Sequence, residues 1–218
     1  MGYTVFLSAG HGGNDSGAVG NGLVEKTVNL NMMLACRTVL EMHGVTVICS
    51  RTKDENDPVA EEVNEANKSN AKIAVSFHNN AGGGDGFECF HFSTSKEGKK
   101  LCVLLEKYVK QLGQNSRGAK AGDKYYFIRK TKMPAVIVET FFLDNVTDKL
   151  IADTVEEQKA FGEAYALAIL EYFGIDTEGC ETPANDSERY EAIGRAFEKC
   201  FKDMDALGSW NELMSLMD

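Results

Sequence analysis

At 218 residues the chain is long enough for one core of ordinary size with an appendage. Hydrophobic residues make up 43% and charged residues 26%, with 3 Pro and no low-complexity tract, which excludes a disordered chain and fits a soluble globular one. The formal net charge of −10 is concentrated in residues 176–218, with 11 acidic against 4 basic side chains, and no Lys/Arg cluster could neutralise successive phosphates, so nucleic acid and anionic membrane surfaces are excluded as partners.

The N-terminus MGYTVFLS lacks a basic region and an apolar stretch of roughly 7 to 15 residues before a cleavage site, which predicts synthesis in the cytoplasm without a signal peptide. Tyr3 to Leu7 reads as a strand that opens into the loop SAGHGGNDSGAVGNG, whose glycines let backbone fold tightly around something small. Glu25 to His43 reads as a helix stopped by Gly44, followed by a strand from Val45 to Cys49. Pro58 opens a helix to Asn70, and Ile73 to Phe77 is a buried-type strand ending at His78.

A strand from Phe87 to Phe92 follows the glycine turn, and Lys99 to Leu112 forms an amphipathic helix. The apolar run Ala135 to Val138 ends at Glu139, and Glu157 to Phe173 is the last helix of the main domain, ended by Gly174. Strands alternating with helices predict an α/β fold: a single mostly parallel twisted sheet with helices on both faces, plus a short C-terminal helical appendage. Ser8 to His11, His78 and Glu139 are all expected just beyond strand ends, where such sheets gather functional groups.

The expected domains are a catalytic unit over 1–175, a linker over 176–187 and a short helical segment over 188–218. In that segment Tyr190, Ile193, Phe197, Cys200, Phe201 and Met204 recur at helical spacing, and about forty residues are too few for an independent core. It is expected to cap the main domain or to self-associate, with wall recognition as the alternative. The six cysteines are scattered without a C-x-x-C pair, which predicts reduced core thiols with no disulfide and no cysteine-bound metal.

Two imidazoles and one carboxylate are a ligand set for catalytic zinc, and His11, Glu25 and His78 supply one. Singly, each has an ordinary reading: a turn histidine, a solvated first-turn glutamate and a strand-end histidine. His43 reads as a helix-end residue, His91 as a polar-face strand residue and Asp15 as the maker of an Asx turn. Glu139, at the mouth of a buried strand, would have its pKa raised by desolvation and be prepared for proton work.

The strings SAGHGGNDSGAVG, VEKTVNLN, SRTKD, EANKSNAKIAVSFHNNA, GFECF, RGAK and PAVIVETFFLDN occur in one order over about residues 3 to 173. Together they resemble the zinc-dependent N-acetylmuramoyl-L-alanine amidases of bacterial autolysins and phage endolysins. The resemblance implies that His11, Glu25 and His78 bind Zn2+, that Glu139 is the catalytic acid/base, and that the substrate is bacterial peptidoglycan. Asn79, Asn80 and Arg117 lie in the matching strings and are candidate contacts to the stem peptide. Ser8 stands where Asp is common in the family, and Thr140 where a small residue is frequent. With no signal peptide, the expected setting is a phage or prophage endolysin that acts on the cell wall after release. Two alternatives stay open: a catalytically silent wall-binding module, and a zinc peptidase cutting within the stem.

Overall fold

The computed structural model describes residues 2–177; the expected helical segment over 188–218 and all but the start of the expected linker lie outside the described residues. The chain divides into two units, Met1–Asp176 and Thr177–Asp218, and only the first is described below.

Six strands form one sheet in the order β4-β1-β5-β8-β6-β7: β1 (Thr4–Ala9), β4 (Thr46–Cys49), β5 (Ile73–Asn80), β6 (Phe87–His91), β7 (Ser116–Ala121) and β8 (Ala135–Phe142). β2 (Val19–Gly20) and β3 (Leu23–Val24) make a small separate hairpin. The first four strands of that order are parallel, as expected, whereas β6 runs antiparallel to β8 and carries β7 parallel to itself. β7 has no counterpart in the sequence reading, because SRGAKA shows neither an apolar run nor alternation, and its position at the sheet edge demands neither.

Alternation along the strands sorts the core into two layers. Val5, Leu7, Val75, Phe77, Val136, Val138, Phe87 and Cys89 are buried on one face. There Phe77 and Phe87 meet Tyr165, and Phe141 meets Phe161, both tyrosine and phenylalanine belonging to α6 (Val155–Phe173). α6 packs between α1 (Glu25–Met42) and α3 (Lys96–Gln111), which is why nearly its whole central surface is buried. Thr154 and Glu157 form a capping box at its start, and Gly174 closes it in the left-handed region at φ 68°.

On the opposite face Phe6, Ala74, Phe90, Ala135 and Ile137 pack against Val63 and Ala66 of α2 (Val59–Lys68) and Phe127 and Ile128 of α4 (Tyr126–Lys130). The short α5 (Val146–Lys149) follows β8. No helix among the described residues is long and apolar enough to cross a membrane.

Cys89 on β6 and Cys102 on α3 are joined as a disulfide with their Cα atoms 5.5 Å apart, which corrects the expectation of reduced thiols throughout. Alternation turns Cys89 toward the face that α3 covers, and Cys102 lies on the buried side of that helix, a pairing that sequence spacing does not disclose. His91 is also corrected: it is buried with its ring on the Phe92 carbonyl instead of lying on a polar face.

The α1–α6 crossing is close because Gly162 has no side chain: a Cβ there would collide with the Met32 carbonyl and lie 2.9 Å from the Ala35 Cβ. Gly162→Ala is therefore expected to lower unfolding free energy in urea by about 1–3 kcal/mol, with little change in slope. A loss below about 0.5 kcal/mol would show that the crossing relaxes freely.

Candidate active site

The loop after β1 carries His11 at φ 65°, a left-handed conformation that a non-glycine residue holds only when its surroundings over-determine it. Several contacts do so. Gly12 and Asp15 exchange backbone hydrogen bonds at 2.9 and 3.0 Å, closing a tight turn. Arg51, buried beneath the loop, donates to the carbonyls of Ala9 (2.8 Å), Lys26 (2.7 Å) and Lys53 (3.1 Å). Lys26 Nζ reaches the Gly13 carbonyl and Asp54, whose other oxygen accepts from Gly13 N–H. The SRTKD string is thus the platform of the histidine loop.

Two glycines of the loop leave room for the functional side chains. A Cβ on Gly10 would collide with the His78 ring, and one on Gly17 would lie 2.6 Å from Glu25 Oε2 and 2.7 Å from the His11 ring.

Glu25 is the first residue of α1 and is 4% exposed, so it is not the solvated first-turn glutamate of its ordinary reading. Its Oε2 accepts from Ala18 N–H at 2.8 Å. Its Oε1 faces His11 Nε2 and His78 Nδ1, each at 3.1 Å, and accepts from Asn79 N–H at 3.2 Å. Behind it Asn29 donates to the Gly10 carbonyl and accepts from the Asn79 side chain at 2.7 Å. Asp15 closes the Asx turn onto Gly17 N–H and also holds His11 Nδ1 at 2.9 Å, which leaves Nε2 directed at Glu25.

One ligand atom from each of His11, Glu25 and His78 can lie within 4.8 Å of the others. Burial works against a charged Glu25, yet the hydrogen bonds and charges of His11 and His78 hold its carboxyl well below the usual range. Burial likewise opposes protonation of His11, but Glu25 and then Asp15 lift it to about 9. His78 is raised against its own burial by the Glu25 hydrogen bond and by the charges of Glu139 and Glu25. The cluster is built to hold positive charge, and two imidazole nitrogens with one carboxylate oxygen fit a divalent cation of the zinc type.

Glu139 and His78 are register partners on adjacent parallel strands. Both lie within their strands and not beyond them, so the expectation of strand-end positions is corrected: β8 continues to Phe142 and β5 to Asn80. Burial, with the charges of Glu25 and Glu88 adding to it against the pull of His78 and His11, pushes Glu139 up to about 7. Thr140 is fully buried, donates to the His78 carbonyl at 3.3 Å and accepts from Tyr165 at 3.0 Å, so it ties the two strands together at this level.

Of the candidate substrate contacts, Asn79 is buried against Asn29 and Glu25 and braces the cluster from behind. Asn80 and Arg117 meet at Glu88, a buried residue absent from the candidates, to which Asn80 Nδ2 donates at 3.3 Å and with which Arg117 forms an ion pair, Nε lying 2.9 Å from its carboxylate. The sequence signal for Glu88 was a lone carboxylate inside the apolar string GFECF. Ser8, in place of an acid, donates at 2.6 Å to Glu62 on α2, which supplies a carboxyl to the same spot. Asp15, Asn29 and Arg51 were also missed in these roles, since each depends on contacts across the chain.

Glu62 is 4% exposed, and burial, against the Ser8 hydrogen bond, lifts it to about 7. Its neutral form is favoured in the folded state, so the stability that Glu62 contributes is fully present below pH 4.5 and is lost as pH rises through about 7. Glu62→Gln is expected to stabilise the metal-free protein at pH 8 by on the order of 1–3 kcal/mol in urea unfolding and to add nothing at pH 4. An equal effect at both pH values would contradict this.

Residues 5–171 match the family described as N-acetylmuramoyl-L-alanine amidase. The chain is 35% identical over 169 residues to the sporulation-specific N-acetylmuramoyl-L-alanine amidase of Bacillus subtilis, covering 75% of this chain and 66% of that protein. It is 33% identical over 184 residues to the endolysin of Bacillus phage SPP1, covering 80% and 68%. The solved catalytic domain of CwlV, an N-acetylmuramoyl-L-alanine amidase from Bacillus (Paenibacillus) polymyxa, superposes with a TM-score of 0.74 at 30% identity, covering 80% of this chain and 99% of that one. The chain thus spans about two thirds of the sporulation amidase, and it belongs to the N-acetylmuramoyl-L-alanine amidase family.

Proposed function

We propose that this chain is a zinc-dependent peptidoglycan hydrolase that cleaves the amide between N-acetylmuramic acid and the L-alanine of the stem peptide. The observation that carries the reading is the convergence of His11, Glu25 and His78 on one point, with Glu139 in register beside His78. Family membership supplies the bond to be cut.

When bound, zinc would supply Lewis acidity for the amide carbonyl and for the attacking water. His11 Nε2, Glu25 and His78 Nδ1 would hold it, with Asp15 fixing the His11 tautomer. Glu139, poised near neutrality, takes the proton of the attacking water as a carboxylate. It then returns that proton to the departing L-alanine nitrogen, so its charge is restored at the end of the cycle.

The likeness to the SPP1 endolysin supports a phage or prophage lysin that reaches the wall after release. A second reading, a host amidase of sporulation, is favoured by the comparable likeness to the Bacillus subtilis enzyme.

Digestion of defined muropeptides followed by mass spectrometry tests the reaction. The expected products are muramic glycans and intact stems with a free L-alanine amine, with activity lost to a chelator and restored by zinc. Glu139→Gln is expected to retain zinc while losing about 10²- to 10⁴-fold in kcat. Shortened stems would instead indicate a peptidase, and full activity of Glu139→Gln would remove its proton role.

A further inference from the structure

On the α2/α4 side of the sheet, functional side chains stand in a row across four strands. From β5 through β8 and β6 to β7 they are His78, Glu139, Glu88, and then Arg117 with Lys120. Glu139 and Glu88 are direct antiparallel partners, so their side chains leave the same face.

A bulge brings both β7 cations to that face. Phe87 pairs with Ser116 and Cys89 with Ala119, so Arg117 and Gly118 together oppose Glu88, with Gly118 at φ 79°. Lys120, opposite Phe90, then shares the face of Glu88 instead of alternating away from Arg117. A second irregularity lies in β8, where Thr140 and Phe141 oppose Asn79, and the Phe142 ring comes beneath the Arg117 guanidinium at 5.2 Å.

Glu88 is buried and is paired with Arg117 Nε at 2.9 Å and with Lys120 Nζ, while Asn80 adds a hydrogen bond. The group of one carboxylate and two cations is left with one net positive charge. The cationic side chains are 43% and 36% exposed, and a guanidinium presents its donors in a planar fork suited to a planar anion.

We propose that Arg117 and Lys120, held by Glu88, form a subsite for the free α-carboxylate of the stem residue that follows L-alanine; this rests on the amidase reading above. Adjacent strands stand about 4.8 Å apart, so the cations lie roughly 5–10 Å from Glu139, a span that the second residue beyond the scissile amide reaches at about 3.3 Å per extended residue. A γ-linked D-glutamate at that stem position offers a carboxylate, and its amidated form, D-isoglutamine, keeps the shape without the charge.

The test compares zinc-loaded full-length protein on muramoyl-L-alanyl-γ-D-glutamyl-L-lysine and on the same compound with D-isoglutamine. Wild type is expected to favour the carboxylate by about tenfold in kcat/KM, mainly through KM. Arg117→Met and Lys120→Met should bring that ratio toward one, and Lys120→Glu should reverse it. The wild-type comparison needs no variant, so a folding defect cannot mask the outcome. Equal cleavage of both compounds by wild type, or an undiminished preference in both methionine variants, overturns the subsite and leaves the amidase reading standing. Release of neither stem by wild type overturns that reading, and the subsite with it.

Discussion

One carboxylate oxygen organises this site. Glu25 Oε1 lies 3.1 Å from His11 Nε2 and 3.1 Å from His78 Nδ1, and it also takes the backbone N–H of Asn79. A buried anion without such partners would neutralise itself by taking up a proton, and here two imidazoles and fixed N–H groups prevent that. Because the first residue of α1, the loop after β1 and the end portion of β5 must all meet at this atom, the helix start, the strained loop and the sheet register depend on one another. The bound Asn29 and the buried Arg51 serve the same end, since both fasten carbonyls of the loop that presents His11.

The strands that build the site grade from apolar to polar along one face. Phe6 gives way to Ser8 on β1, Ala74 to Ser76 and His78 on β5, and Ile137 to Glu139 on β8. A hydrophobic layer sealed by α2 and α4 thus lies under a hydroxyl and carboxyl layer, in which Ser76 donates to Ser8 and Ser8 to Glu62. The ionisable residues above it sit where desolvation is partial and specific. That placement, with burial opposed by nearby charge, is what leaves Glu139 near neutrality.

Much of this was legible in the sequence. The four proposed chemical residues stood out as candidates because His78 and Glu139 each end an apolar run, His11 lies in a glycine-rich loop and Glu25 opens a helix, within strings whose order is informative, and the parallel strands announce themselves as apolar runs. Period does not encode direction, so the reversal of β6 and β7 was hidden. Bulges change which residues share a face, so neither Lys120 nor the stacking of Arg117 on Phe142 could be read from alternation. Asn79, adjacent to His78, looked open to substrate but is buried, because alternation turns it away from the face that His78 serves. Cys89 and Cys102 looked like two core thiols because only the packing of α3 on β6 places them together.

Anomalous scattering from crystals grown with zinc, measured on either side of the zinc edge, tests directly whether His11, Glu25 and His78 hold the metal. One strong peak is expected, bounded by His11 Nε2, a Glu25 carboxylate oxygen and His78 Nδ1, each about 2.0–2.2 Å away. A peak held by other side chains, or one that leaves Glu25 bonded only to the two histidines, would contradict it.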